Sequence, residues 1–354
     1  MTICSHPFAH LQRHFVQDIA PLRVALHLLP VKGFSASSLT DFRRKEENAI
    51  KKIFTLCAAA TMFIVGNGAY AAPELVAHTA GGSLSGAGTY DWWYGCSPTS
   101  AGMLLGQYDR NGYSNLVPGG PAEVDTFGNT GALVNSAIAS SGHIHDFYGN
   151  LSPSLGYTHS LDDVTQPFHS FDSLADFMGT SQDAYENSNG STTFYFYNDN
   201  SPLTAADIYS AGSSYYNRDG MYGIGEYTKY AGYDATVLYS QYIYGFGGKS
   251  AGFTYAQYKA EIDAGRGVLI QVYTHTMYGY GYIDGTNTIK VYDTWAPAGS
   301  NPGTMTWGGS YASLGQFGVT VLGGLTPIPE PAFVQMGALL GMSGLGFLRL
   351  RRKT

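Results

Sequence analysis

The stretch Gly95-Cys96-Ser97-Pro98-Thr99-Ser100-Ala101-Gly102-Met103-Leu104-Leu105-Gly106-Gln107-Tyr108-Asp109 constrains the fold more than any other. Ala101, Leu104, Leu105 and Tyr108 recur at i, i+3, i+4 and i+7, which predicts a helix with one buried face. Ser97 is placed to cap its start. Pro98 suits the first turn, where a missing N–H costs nothing. Cys96 then lies at the positive end of the helix against free N–H groups, and both favour thiolate, the reactive form of cysteine. By itself, a Gly-Cys pair reads first as a small buried apolar residue in a helix cap, and the rest of the chain shifts that reading.

The last third of the chain predicts the other layer. Thr254 caps a helix running to Ala264, with Tyr255, Tyr258 and Ile262 on one face. Val268–Tyr273 reads as a buried strand. Asp284-Gly285-Thr286-Asn287 is a hairpin turn signal between Tyr278–Ile283 and the returning strand Thr288–Tyr292. Upstream, short helices are expected at 171–178, 204–211 and 223–231, and strands at 193–197 and 235–239. The class is α+β, an N-terminal helix carrying the cysteine packed on an antiparallel sheet.

The two ends read as addresses. Lys51-Lys52, the apolar run Ile53–Val65 and the small-residue site Ala69-Tyr70-Ala71 predict a signal peptide over 51–71, with the Sec export machinery as a partner. Residues 1–50 carry mixed charge without pattern and are expected to be a mis-called start. Residues 326–354 form a tail. Within it, Pro329-Glu330-Pro331 precedes an apolar run at 332–348 and the basic cluster Arg349-Leu350-Arg351-Arg352-Lys353. That order predicts a membrane span with a cytoplasmic end. Between these ends, residues 72–331 keep 7 basic against 22 acidic side chains, a net charge of −15. A nucleic-acid partner is excluded, because it needs a basic footprint. Of the 3 cysteines, Cys4 and Cys57 fall in the leader segments. Cys96 therefore has no disulfide partner in the exported domain, and a lone thiol in an oxidising compartment must be buried or used.

The predicted hairpin gives the thiol its partners. It sets His275 near the start of one strand and Asp293 just past the end of the other, at the same end of the pair. A carboxylate there would hold the imidazole, and the imidazole would take the thiol proton. Trp92, Trp93 and Tyr94, with Gly95, read either as walls of a substrate cleft or as packing. Gly142-His143-Ile144-His145-Asp146 offers a metal alternative, because histidines at i, i+2 share a face on a strand. The competing reading is surface or substrate-facing histidines, and no metal or other cofactor is assigned. His159 and His169 show no partner in sequence.

Two resemblances follow. Gly95-Cys96-Ser97-Pro98-Thr99, His275 with Met277-Tyr278-Gly279-Tyr280, and Val291-Tyr292-Asp293-Thr294-Trp295 resemble the blocks of papain-like cysteine peptidases of the bacteriocin-leader-processing type. The resemblance implies a papain-like domain over 72–325. It implies Cys96 as nucleophile, His275 as base, Asp293 as orienting residue and a peptide or protein substrate. Residues 111–253 find no counterpart and are expected to be an insertion. The family carries glutamine six residues before the cysteine as an oxyanion donor. Here that position is Tyr90, which leaves either a tyrosine donor or a weak peptidase-fold module that binds peptide or matrix polymer. The tail resembles a PEP-CTERM sorting signal, which implies transient membrane anchoring, processing by an exosortase and release to the envelope or exterior.

Overall fold

The computed structural model describes residues 73, 75, 82–120, 122, 131–148, 169–188, 190–295 and 303–329. All belong to one of the two units into which the chain divides, the one that resumes at Ala72. The leader segments, Glu330, Pro331 and the apolar run 332–348 lie outside these residues, as does His159. Among the described residues no helix is long and apolar enough to cross a membrane.

The architecture is α+β. The helices are α1 (Cys96–Arg110), α2 (Ala132–Ile138), α3 (Ser141–Phe147), α4 (Leu174–Phe177), α5 (Ala205–Ala211), α6 (Ser213–Tyr216), α7 (Gly220–Tyr230) and α8 (Tyr255–Asp263). The strands are β1 (Leu203–Thr204), β2 (Tyr233–Tyr242), β3 (Val268–Val272), β4 (His275–Ile283), β5 (Thr288–Tyr292), β6 (Gly303–Thr306), β7 (Ser310–Tyr311) and β8 (Leu314–Pro327). They form an antiparallel sheet of order β1-β2-β8-β3-β4-β5-β6, with β7 paired to β8.

Local chemistry explains several of these elements. Thr254 and Gln257 exchange hydrogen bonds as a capping box at α8, and Thr204 does the same with Asp207 at α5. The α8 helix fastens to the sheet through Tyr258, which donates to the Gly281 carbonyl at 2.8 Å. Strand β3 is buried along its whole length and β4 from His275 to Tyr282, as expected where helices cover one face of a sheet and neighbouring elements the other.

Helix α1 differs from its expectation in one respect. Residues Ser97 to Asp109 are buried on every side, not along one face. The sheet, α2, α4 and α7 all pack against it. At its far end Tyr108 donates to the Leu322 carbonyl of β8, and the Asp109 carboxylate accepts from the Val117 and Ala122 amides. The expected strand at 193–197 is reduced to one bridge at Thr193. The segment 111–253 supplies β1, β2 and α2 to α7. Strand β2 pairs along β8 from Tyr233 to Tyr242, so this segment builds the sheet and is not an appendage to it.

Candidate active site

The backbone before Cys96 is bent by its neighbours. Tyr94 takes φ 53° and Gly95 φ 150°, both positive and outside the regions L side chains ordinarily adopt. A Cβ on Gly95 would come within 2.8 and 2.9 Å of the Pro98 ring and 3.0 Å of Thr180. The bend is tied from both sides. Thr99 Oγ1 donates to the Gly95 carbonyl at 2.6 Å and accepts from the Trp93 amide at 3.0 Å. Tyr148 donates to the Tyr94 carbonyl and accepts from the Ser181 hydroxyl. The result sets Cys96 as the first residue of α1, where the amides of the first turn have no intrahelical acceptor.

Gly95, not Ser97, is therefore the N-cap, and it offers no side-chain cap. The Ser97 hydroxyl is engaged elsewhere, 2.9 Å from Thr276 Oγ1. Thr276 in turn donates to Gln271 Oε1 at 2.8 Å, and its carbonyl accepts from Ser100 Oγ at 2.9 Å. These groups are buried, and they pin the first turn of α1 to the start of β4.

That junction brings Cys96 and His275 together. Cys96 as a residue is half-buried, and His275 is 2% exposed. Burial alone would push the Cys96 thiol up. The hydrogen bond and charge of His275, the Thr276 amide and the Ser97 hydroxyl outweigh it, and the thiol lies below its ordinary value. The register of the hairpin, Tyr278 opposite Tyr292, puts His275 and Asp293 at one end.

The atom that meets the imidazole is not the expected one. His275 Nε2 lies 2.6 Å from the main-chain carbonyl of Asp293. The Asp293 carboxylate accepts instead from the Trp295 amide at 3.0 Å and from Tyr311 Oη at 2.6 Å. The reason is local: Asp293 follows the last residue of β5, so its backbone still runs alongside β4, and Thr294 at φ 63° turns the chain away. A carbonyl only accepts, so Nε2 carries the proton and Nδ1 keeps the lone pair for the thiol. The turn also lays the half-exposed Trp295 ring over the imidazole, with centroids 4.0 Å apart at 21°.

Tyr90 is not part of this group. It is fully buried beside Gly106 and accepts from Arg110 at 2.5 Å. Gly106 lies ten residues along α1 from Cys96, about 15 Å at 1.5 Å per residue. Tyr94 is core, edge-on to Trp93 and Tyr148, and Trp93 is held by its indole N–H to the Ala139 carbonyl at 3.1 Å. Trp92 is half-buried near Gly190.

The histidine pair is also rearranged. Residues 141–147 are helical, capped by Ser140, so His143 and His145 point apart. His143 is buried against Asp176, with Nδ1–Oδ1 2.7 Å, and His145 is 82% exposed. Sequence reasoning missed Thr276, Gln271 and Trp295. Thr276 is next to His275 and Trp295 closes the Val291–Trp295 block, whereas Gln271 carried no signal.

Comparison of the chain with protein-family profiles, with curated proteins and with solved structures finds no match.

Proposed function

We propose that this chain is an exported cysteine hydrolase of papain-like type that cleaves peptide bonds. The observation that carries the reading is the Cys96–His275 pair: a thiol held below its ordinary value at a helix N-terminus, beside an imidazole with a fixed tautomer. In the proposed reaction His275 Nδ1 takes the thiol proton. The sulfur attacks the peptide carbonyl, and the Cys96 amide faces the developing oxyanion. His275 returns the proton to the leaving amine as the C–N bond breaks. Water then attacks the thioester, giving its proton to His275, and the freed thiolate recovers it. Asp293 orients the ring through its carbonyl, and its carboxylate holds the Trp295 cover in place. Export by the 51–71 signal and processing of the 326–354 tail by an exosortase belong to the same proposal.

The position of Tyr90 favours a second reading, a module that holds peptide without turning it over. An oxyanion hole short of one donor loses about 3–4 kcal/mol of transition-state stabilisation.

The test is the alkylation rate of Cys96 against pH in the full chain, with Cys4 and Cys57 replaced by serine, and with His275→Ala alongside. A rate that saturates well below the free-thiol range of ~8.5 and reverts in the variant supports the thiolate–imidazolium pair. A rate that rises only near ~8.5, unchanged by His275→Ala, refutes it. A reactive thiol without cleavage of a casein or peptide library selects the binding module.

A further inference from the structure

A second group of chemistry-bearing side chains gathers where α3, α4 and the segment before α4 meet. His169, Asp172 and Asp176 bring one donor atom each to within 4.8 Å of one another. His169 Nε2 lies 3.2 Å from Asp176 Oδ1 and 3.9 Å from Asp172 Oδ1. Nε2 is a buried atom with no well-formed hydrogen bond.

The other nitrogen is spoken for: His169 Nδ1 lies 2.7 Å from Asp146 Oδ2, on a carboxylate only 2% exposed. A ring that donates from Nδ1 to a buried carboxylate turns its Nε2 lone pair toward the remaining two carboxylates. This is how metal-binding histidines are oriented. Asp176 is prepared in a matching way. Its Oδ2 accepts from the Asp172 amide, the Ser173 amide and Ser173 Oγ, while Oδ1 faces His169 and is supported by His143 Nδ1.

We propose that His169, Asp172 and Asp176 bind one divalent transition-metal ion, with Asp146 as the residue that positions His169. The spacing suits zinc. Two donors each 2.0–2.2 Å from a tetrahedral ion stand about 3.4 Å apart, and the two His169–carboxylate separations bracket that value. Mixed nitrogen and oxygen donors match the same ion. Asp172 is half-exposed, so the cluster is reached from solvent on its side, and it also lines a cavity of about 210 Å³ with Ser136, Ser140 and Tyr230. Binding requires neutral His169 and so releases protons.

The test is zinc titration of the full chain, stripped with chelator and carrying Cys4→Ser, Cys57→Ser and Cys96→Ser so that no thiol takes part. Calorimetry reads the stoichiometry, and cobalt gives a visible spectrum that reports the donor set. The expected result is one equivalent per chain that disappears in both His169→Ala and Asp172→Asn. Asp146→Asn weakens it about 10–100-fold, and His145→Ala leaves it unchanged. Asp172→Asn keeps its shape on a half-exposed side chain, so its circular dichroism matches the parent and loss of zinc reads as loss of a donor. Absence of uptake overturns the proposal. So does uptake that survives both His169→Ala and Asp172→Asn, or uptake that depends on His145.

Discussion

Replacing Thr276 by valine isolates the junction that sets Cys96 against His275. Valine keeps the volume and branching, so no cavity term enters. What is lost is one hydroxyl, fully buried, that donates to Gln271 Oε1 at 2.8 Å and pairs with Ser97 Oγ at 2.9 Å. Gln271 is itself fully buried, and a buried acceptor stripped of its donor costs about 1–3 kcal/mol. Ser97→Ala attacks the same pair from the other side. There Thr276 still donates to Gln271, and the cost is that of one net hydrogen bond, about 1 kcal/mol. The double variant cannot lose the Ser97–Thr276 bond twice, so it should be less destabilised than the sum by about 0.5–1.5 kcal/mol. Urea unfolding followed by tryptophan fluorescence measures all four chains, and an unchanged denaturant slope checks that only stability has moved. Costs that add within about 0.5 kcal/mol would refute the coupling, as would a Thr276→Val chain as stable as its parent.

Two further outcomes follow from the geometry. Gly95→Ala places a Cβ against Pro98 and Thr180 at a positive φ and should cost more than Gly212→Ala, whose φ is 103° but whose Cβ meets nothing. Strain alone is about 1–3 kcal/mol, so equal losses in urea unfolding would remove the steric argument for Gly95. In metal-free protein the α3–α4 cluster should stabilise most between about pH 4 and 6.5. Burial would push Asp176 up, but the hydrogen bond and charge of His143, with Ser173 and His169, hold it at about 2. Its contribution is therefore complete above the unfolded carboxyl value and is lost as pH falls through the folded one. Burial would push His169 down, but Asp146 and Asp176 hold it above its usual value. Its contribution is complete below the unfolded value and fades as pH rises through the folded one. His169→Asn should flatten the alkaline limb of Tm against pH, and an unaltered limb would show that the ring does not carry it.

The parts of this fold legible in sequence are those with local causes. Thr254 and Gln257 announce α8 within four residues, and Asp284-Gly285 announces the β4–β5 turn, which fixes His275 and Asp293 at one end. Strand β8 has no such signal. Its contacts with β2 and β3 span 80 and 49 residues, and glycines at 315, 318, 323 and 324 blur its alternation. Ser97 reads as a cap because caps are local. Its actual partner, Thr276, is 179 residues away. His143 and His145 read as a strand pair because i, i+2 spacing is a strand signal, whereas the Ser140 cap makes the segment a helix. At Asp293 the residue was legible and the atom was not, because spacing places a backbone without saying whether side chain or carbonyl meets the ring.

Strand β8 also sets a timetable. It fills the gap between β2 and β3, and α1 reaches it through Tyr108 across 214 residues. Every other strand of the sheet leaves the ribosome before the piece that joins them. Until Leu314–Pro327 emerges, β2 and β3 each present an open edge, the surface on which nascent chains pair wrongly or recruit a chaperone. Contacts of such span also make closure slow. The thiol and imidazole thus wait for a finished support until almost the whole domain has been synthesised.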